Sequence, residues 1–282
     1  MIKGNSLVNG VLKKPKLGGA VYLLPNLFTT GNLFFGFLSV VKSLQGEFGW
    51  ASAAIFLAAI FDVLDGRVAR LTNSASEFGV QYDSLCDHMS FCMAPSILMY
   101  QYSLHSYGRV GWILCFVFLA CGALRLARFN VQSSIGQASG DFTGLPTPMA
   151  GAVPAAFIAL SVHLRTEPLS DWMGLYIAPI ILHSQVQNYA LLLLAPFLAF
   201  LMVSNVIFRS HKTLRFKGIK PFRLLVIFTM ALGIIAYEPE LVGFLLFFGY
   251  SLTGPLEWVL GWKKAIEDDE IFHPEDDQLN HH

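Results

Sequence analysis

Four aspartates in the first third of the chain carry the strongest chemical signal in the sequence. Asp62 and Asp65 lie three residues apart, and Asp83 and Asp87 lie four residues apart. On a helix, residues at these spacings share one face, so each pair presents two carboxylates side by side. All four border long apolar runs, where one membrane-centred Asp costs roughly 2.5–3.5 kcal/mol on translocon scales. We therefore expect a ligand to compensate these charges.

Divalent metal ions are the ligands that such a group of carboxylates fits best. Hard oxygen ligands suit Mg²⁺, Mn²⁺ or Ca²⁺, and four carboxylates exceed what one octahedral Mg²⁺ usually takes from a protein, which favours a pair of ions. Gly66 and Gly79 would let a ligand or a facing helix approach the backbone closely, and Arg70 could reach a phosphate oxygen. The alternative to a metal site is that these carboxylates lie at helix ends and interact only with charges at a membrane surface.

The composition places these groups in an all-α polytopic membrane protein. The chain has 282 residues, of which 54% are hydrophobic and 13% charged, and its mean hydropathy is +0.54, which is too apolar for an ordinary soluble domain. Its apolar runs have about the 20 residues that a membrane-spanning helix needs. We predict eight spans, at residues 24–41, 50–69, 86–102, 110–127, 149–164, 189–208, 222–237 and 241–260. The stretch 172–183 is too short for a further crossing.

The basic residues predict the orientation. With eight spans, all of the 19 Lys and Arg residues except Lys42, Arg109 and Arg165 fall on one side, which the positive-inside rule makes cytoplasmic. Both termini and the aspartates lie on that side of the cell (inner) membrane. Seven of the 19 acidic residues lie between Glu267 and Asp277, so the rest of the chain is basic and suited to anionic membrane lipids and to a diphosphate. We expect no nucleic-acid partner.

The full spacing of the aspartate region resembles the CDP-alcohol phosphatidyltransferase family, since the chain reads D-x2-D-G-x2-A-R-x8-G-x3-D-x3-D from Asp62 to Asp87. The resemblance extends over about 25–208. It implies an integral membrane enzyme, homodimeric, that uses two divalent ions (Mg²⁺ or Mn²⁺) to displace CMP from CDP-diacylglycerol with an alcohol. By this resemblance Asp62, Asp65 and Asp83 hold the ions, and Asp87 completes the second ion site and accepts the alcohol proton.

The resemblance also assigns residues to the nucleotide end. Asn26, Thr29 and Asn32 recur at steps of three and so lie on one face of the first span. By themselves they are equally suited to hydrogen bonds between helices, but the family places its nucleotide-recognising helix here. Ser76 is a candidate N-cap from the sequence alone, whereas the resemblance implies contact with the diphosphate. Together with Gly66, Arg70 and Gly79, these residues are the predicted CDP-diacylglycerol site.

Two arginines are the candidate acceptor site. Arg125 and Arg128 lie one turn apart at the end of the fourth span, where snorkelling to lipid phosphate is the alternative. The run Arg-Leu-Ala-Arg-Phe-Asn from 125 to 130, followed by Phe-Thr-Gly-Leu-Pro-Thr-Pro from 142 to 148, resembles the branch of the family that makes phosphatidylserine. An arginine pair suits a carboxylate such as that of L-serine.

Other acceptors and another class of protein stay open at this point. Glycerol 3-phosphate or inositol phosphate would use the same arginines, whereas choline would require an aromatic cage. A cation transporter would place its acids near the bilayer midplane beside broken helices. We predict a cytoplasmic segment at 1–23, a six-helix catalytic core at 24–208, a basic loop at 209–221, two additional helices at 222–260 without a chemical role, and a disordered acidic tail at 261–282.

Overall fold

The computed structural model describes residues 20–72, 74, 76–134, 142–166, 178–208, 229–230, 232–233 and 236–271. The described chain is almost entirely helical, as expected where a bilayer forces backbone groups to hydrogen bond within one segment. The helices are α1 (Ala20–Leu44), α2 (Phe48–Leu71), α3 (Glu77–His88), α4 (Ala94–Tyr102), α5 (Arg109–Ser134), α6 (Thr147–Thr166), α7 (Ala178–Ile181), α8 (Ser184–Val203) and α9 (Pro239–Ile271). A π-helical turn, Met89–Met93, joins α3 to α4, and a 3₁₀ turn, Leu104–Tyr107, follows α4.

Six of the described helices are long and apolar enough to cross a membrane. They are α1, α2, α5, α6, α8 and α9, and they correspond to six of the eight predicted spans. The predicted span at 86–102 lies within the continuous helical segment formed by α3, the π turn and α4, which has the length of a crossing at about 1.5 Å per residue. The fold is therefore that of an all-α polytopic membrane protein.

The structure corrects several predicted boundaries. The span predicted at 189–208 begins earlier, at Ser184, and ends at Val203; strand β2 (Ile207–Phe208) follows and pairs antiparallel with β1 (Phe142–Thr143). Hydropathy did not separate this apolar strand from the helix before it. The helix α9 continues to Ile271, past residue 261 where we placed the start of the tail.

Other predicted segments lie partly or wholly outside the described residues. Of the span predicted at 222–237, only six residues are described, and all six are helical. The segment 1–19, the basic loop at 209–221 and the end of the tail at 272–282 also lie outside. In the stretch 172–183, the described part contains only the single turn α7.

The π turn is the centre of the packing that positions the site. Phe91 in this turn is fully buried, and α1, α5 and α6 all pack against the turn. Gly36 of α1 and Gly151 of α6 make this possible: a Cβ at Gly151 would lie 2.6 Å from the Phe91 carbonyl oxygen, and one at Gly36 would collide with Ser90. The turn begins two residues after Asp87, so the same packing holds that aspartate in place.

The C-terminal helix packs on the outside of this core. Phe244 of α9 contacts Phe157 of α6, with ring centroids 5.6 Å apart, and Phe247 stacks on Phe56 of α2 at 5.7 Å. These aromatic contacts place α9 along α6 and α2.

Candidate active site

The four aspartates come from the end of α2 and from α3. One carboxylate oxygen from each of Asp62, Asp83 and Asp87 lies within 4.8 Å of the other two. Asp65 is 5% exposed and lines a pocket of about 160 Å³ together with Asp83. The fold therefore brings Asp62, Asp83 and Asp87 together, with Asp65 in the adjoining pocket.

The oxygen atoms of this cluster fit divalent cations. Asp65 Oδ2 and Asp83 Oδ1 are buried, and within the described part of the chain neither accepts a hydrogen bond. In the same described part, no Lys or Arg forms an ion pair with any of the four carboxylates. Buried anionic oxygens without donors or counter-charges are unfavourable. Because every candidate ligand atom is a hard oxygen, the cluster fits a divalent cation.

One amide fixes the orientation of Asp87. Asn32 of α1 is fully buried, and its Nδ2 donates a hydrogen bond of 2.9 Å to Asp87 Oδ1. The Ser90 hydroxyl in turn donates to the Asn32 backbone carbonyl at 3.0 Å. Asn32 therefore binds Oδ1 of Asp87 and fixes the direction of the carboxylate.

The pocket beside the aspartates contains most of the predicted nucleotide-binding residues. Its lining includes five of them, namely Asn26, Thr29, Gly66, Ser76 and Gly79. A Cβ at Gly66 would meet no atom within 4 Å, so the absence of a side chain there leaves room for a ligand. The Ser76 Oγ accepts a hydrogen bond of 3.0 Å from Gly79 N, which makes Ser76 the N-cap of α3 and points the N-terminus of this helix at the pocket.

Two predicted residues do not line this pocket. Asn32 lies deeper, against Asp87, and Arg70 is exposed with its Nε donating to the Gly66 carbonyl at 2.9 Å. Four further residues line the pocket and were not predicted as site residues, namely Pro25, Ala69, Ser74 and Val80. Ala69 could have been found, since it lies four residues after Asp65 on the same helix face. Ser74 could not, because its position depends on a hydrogen bond to Thr72 in the turn after α2, 2.6 Å between hydroxyl oxygens.

The two arginines of α5 have different surroundings. Arg125 is 7% exposed, its Nη1 donates to Thr147 Oγ1 at 3.2 Å, and its buried Nε has no hydrogen-bond partner among the described residues. The Asp87 carboxylate and the neutral Tyr250 side chain are both in the surroundings of its guanidinium group. Tyr250 belongs to α9, a helix to which we gave no chemical role. Among the described residues, Arg125 thus has a buried donor that is not used.

Arg128 is engaged at the end of α8. Its Nη2 donates to Asn205 Oδ1 at 2.8 Å, and its Nη1 lies 3.3 Å from the Val203 carbonyl oxygen and 3.4 Å from that of Ser204. Val203 is the last residue of α8 and Ser204 is its C-cap, a position where intrahelical donors are lacking. Arg128 therefore satisfies the C-terminus of α8.

The segment that follows β1, residues 144–147, holds the start of α6 in place beside Arg125. Gly144 has a φ of +79°, and its N–H donates to the Val206 carbonyl at 2.8 Å. The Leu145 N–H donates to the Leu201 carbonyl at 3.0 Å. These bonds hold the start of α6, and with it Thr147, against the end of α8 and beside Arg125.

Comparison with known proteins identifies the family. The model of the CDP-alcohol phosphatidyltransferase family matches residues 22–193. A CDP-diacylglycerol–serine O-phosphatidyltransferase of Helicobacter pylori J99 is 34% identical over 252 residues, which cover 87% of this chain and 95% of that protein. An archaetidylserine synthase of Methanothermobacter thermautotrophicus is 38% identical over 136 residues, 48% of this chain and 57% of that protein. A CDP-diacylglycerol–serine O-phosphatidyltransferase of Bacillus subtilis is 34% identical over 128 residues, 45% of this chain and 71% of that protein.

The family match contains all four aspartates and the pocket beside them. It covers more than half of the chain, and the Helicobacter pylori relative aligns over nearly its whole length. The family predicted from the aspartate spacing is confirmed: the chain belongs to the CDP-alcohol phosphatidyltransferases.

Proposed function

We propose that this protein transfers the phosphatidyl group from CDP-diacylglycerol to L-serine, giving phosphatidylserine and CMP. The observation that carries the proposal is the cluster in which one carboxylate oxygen of each of Asp62, Asp83 and Asp87 lies within 4.8 Å of the others. The buried Arg125, whose Nε has no hydrogen-bond partner among the described residues, supports it. Curated relatives with serine in their names support the choice of acceptor.

The diphosphate of CDP-diacylglycerol binds between α2 and α3. Two Mg²⁺ or Mn²⁺ ions held by Asp62, Asp65, Asp83 and Asp87 would neutralise its charge and that of the departing CMP. The N-terminus of α3 contributes its unpaired N–H groups and the positive end of its dipole. The open space at Gly66 lets the phosphate oxygens approach the backbone. Asn26 and Thr29 line the same pocket and contact the cytidine end.

The serine acceptor binds between Arg125 and Asp87. The Arg125 Nε is the donor for the serine carboxylate, an interaction that is strong because both groups are charged. Asp87 Oδ2 takes the proton of the serine hydroxyl, while Asn32 keeps the carboxylate in orientation through Oδ1. The serine oxygen then forms a bond to the phosphatidyl phosphorus as the phosphorus–oxygen bond to CMP breaks.

The membrane setting matches these substrates. CDP-diacylglycerol and phosphatidylserine stay in the bilayer, whereas serine and CMP are water-soluble. We place the aspartates and both termini on the cytoplasmic side of the cell (inner) membrane, because the basic residues predominate there. Assembly as a homodimer is part of the proposal by resemblance to the family.

Turnover by the purified protein tests the reaction and its acceptor. CMP release is followed with CDP-diacylglycerol, Mg²⁺ or Mn²⁺, and L-serine, choline, glycerol 3-phosphate or inositol phosphate in separate reactions. We expect rapid release with serine alone, and a phospholipid product that contains serine. Faster release with another of these alcohols would show that the acceptor is wrong, and no release with any of them would contradict the proposed reaction.

A substitution of Asp87 tests its role as the base. In Asp87→Asn, the amide oxygen still coordinates a metal weakly but accepts no proton, so turnover should nearly vanish while CDP-diacylglycerol still binds. Asp62→Asn is the matched comparison and should weaken the metal dependence of binding as well. If Asp87→Asn loses lipid-nucleotide binding as completely as Asp62→Asn, then Asp87 is a metal ligand and not the base.

A further inference from the structure

A second group of metal-type ligands lies at the other end of α6. His163 is in the last turn of this helix, Glu238 directly precedes α9, and Glu240 is in the first turn of α9. One potential ligand atom from each of the three lies within 4.8 Å of the others. Thr147, beside Arg125, is at the opposite end of α6. The two ends are about 24 Å apart at 1.5 Å per residue, so this group is separate from the aspartate site.

The distances within the group are too long for hydrogen bonds. His163 Nε2 lies 3.6 Å from Glu238 Oε2, and His163 Nδ1 lies 3.9 Å from Glu240 Oε1, whereas hydrogen bonds between N and O are about 2.7–3.2 Å long. Two ligand atoms that bind one tetrahedral ion at about 2.1 Å are about 3.4 Å apart. A single ion binds only one ring nitrogen of His163, and the 3.6 Å between Nε2 and Glu238 Oε2 is close to this ligand–ligand separation.

A second observation also indicates a missing cationic partner. Glu240 Oε2 is buried, yet it accepts no hydrogen bond from any described residue. A carboxylate oxygen in this condition carries a desolvation cost that a cation would remove. His163 and Glu240 also line a cavity of about 380 Å³, which gives water and ions access to both side chains.

We propose that His163, Glu238 and Glu240 form a binding site for a divalent transition-metal ion of the zinc class. One imidazole nitrogen and two carboxylates are a ligand set that Zn²⁺ accepts, with a water molecule as the fourth ligand, whereas Mg²⁺ prefers oxygen ligands throughout. The ion joins the start of α9 to the end of α6. The site thus fastens α9, whose Tyr250 approaches Arg125, to the catalytic core at the surface opposite the active site.

Metal binding to the detergent-solubilised full-length protein tests this site. Equilibrium dialysis against Zn²⁺ followed by metal analysis counts the bound ions, and thermal unfolding with and without Zn²⁺ measures the stabilisation. We expect His163→Ala and Glu240→Gln each to bind one Zn²⁺ fewer than wild type. If a variant still binds this ion, its affinity for Zn²⁺ should be at least about tenfold lower, since loss of even a group that only hydrogen bonds to a metal ligand lowers metal affinity 10- to 100-fold. The stabilisation by Zn²⁺ should fall in parallel.

His105→Ala is the matched control, because His105 is exposed and its Nδ1 lies 3.2 Å from the Tyr100 carbonyl oxygen. Its Zn²⁺ count should equal that of wild type. Glu240→Gln keeps the shape of the side chain, so it tests the site even if His163→Ala folds poorly. An ion pair between protonated His163 and the glutamates requires no metal; equal Zn²⁺ counts and equal thermal shifts in all four proteins would therefore overturn the proposal.

Discussion

Replacement of Arg125 by Gln is the sharpest test of the acceptor pocket. The substitution removes the charge of a buried guanidinium group but keeps a side chain that can still donate to Thr147. A charge-assisted hydrogen bond to the serine carboxylate contributes roughly 1.5–3 kcal/mol. Since about 1.4 kcal/mol corresponds to a factor of ten, the KM for serine should rise about ten- to a hundredfold.

The assay measures initial rates of CMP release while one substrate is varied and the other is saturating. The KM for CDP-diacylglycerol should change much less, because its diphosphate is bound by the aspartate cluster and the N-terminus of α3 and not by Arg125. A selective effect on the serine KM distinguishes a carboxylate-binding residue from one that only supports the fold.

Arg128→Gln is the matched control on the same helix. It removes hydrogen bonds to the end of α8, so we expect a loss of stability of about 1–3 kcal/mol with little change in the serine KM. The reasoning is refuted if Arg125→Gln leaves the serine KM within about twofold of wild type. It is equally refuted if the KM for both substrates rises together. Either result would place the carboxylate pocket elsewhere.

Three further predictions concern the rest of the site. Asp62→Asn should shift the Mg²⁺ or Mn²⁺ titration of activity to higher concentrations and nearly abolish turnover. Without metal, its thermal midpoint should be unchanged or higher, because the substitution relieves repulsion with Asp83 and Asp87. Activity near wild type at saturating metal would contradict the role of Asp62 as a ligand. Gly66→Ala should raise the KM for CDP-diacylglycerol, because the added methyl group enters the space left for the ligand. Stability should not fall, since the Cβ meets no protein atom within 4 Å. Gly249→Ala on α9 is equally unobstructed and should leave this KM unchanged. Gly144→Ala should lower the free energy of unfolding by roughly 1–3 kcal/mol, because φ is +79° and a Cβ would collide with the Met202 carbonyl; an unchanged midpoint in thermal unfolding would contradict this.

The sequence by itself determined the class of fold and the chemistry of the aspartates. Apolar runs of membrane-spanning length must be helical, because the bilayer offers the backbone no other hydrogen-bond partners. Within such helices, spacings of three and four place Asp62 with Asp65 and Asp83 with Asp87 by helical geometry alone. The short turn between α2 and α3 then brings both pairs to one membrane depth. Local geometry was therefore sufficient to pair the aspartates, and the resemblance of the full motif was sufficient for the family.

Only the tertiary structure decided what depends on contacts between distant segments. Arg125 and Arg128 are equivalent on a helical projection, yet one faces the core near Asp87 and the other satisfies the end of α8, a helix some 75 residues later in the chain. Asn32 appeared in the sequence as one of three polar residues on α1, and only packing showed that it orients Asp87. The meeting of His163 with Glu238 and Glu240 likewise depends on where α9 docks against α6. Such pairings are set by side-chain packing across helices, which no periodicity within a single helix encodes.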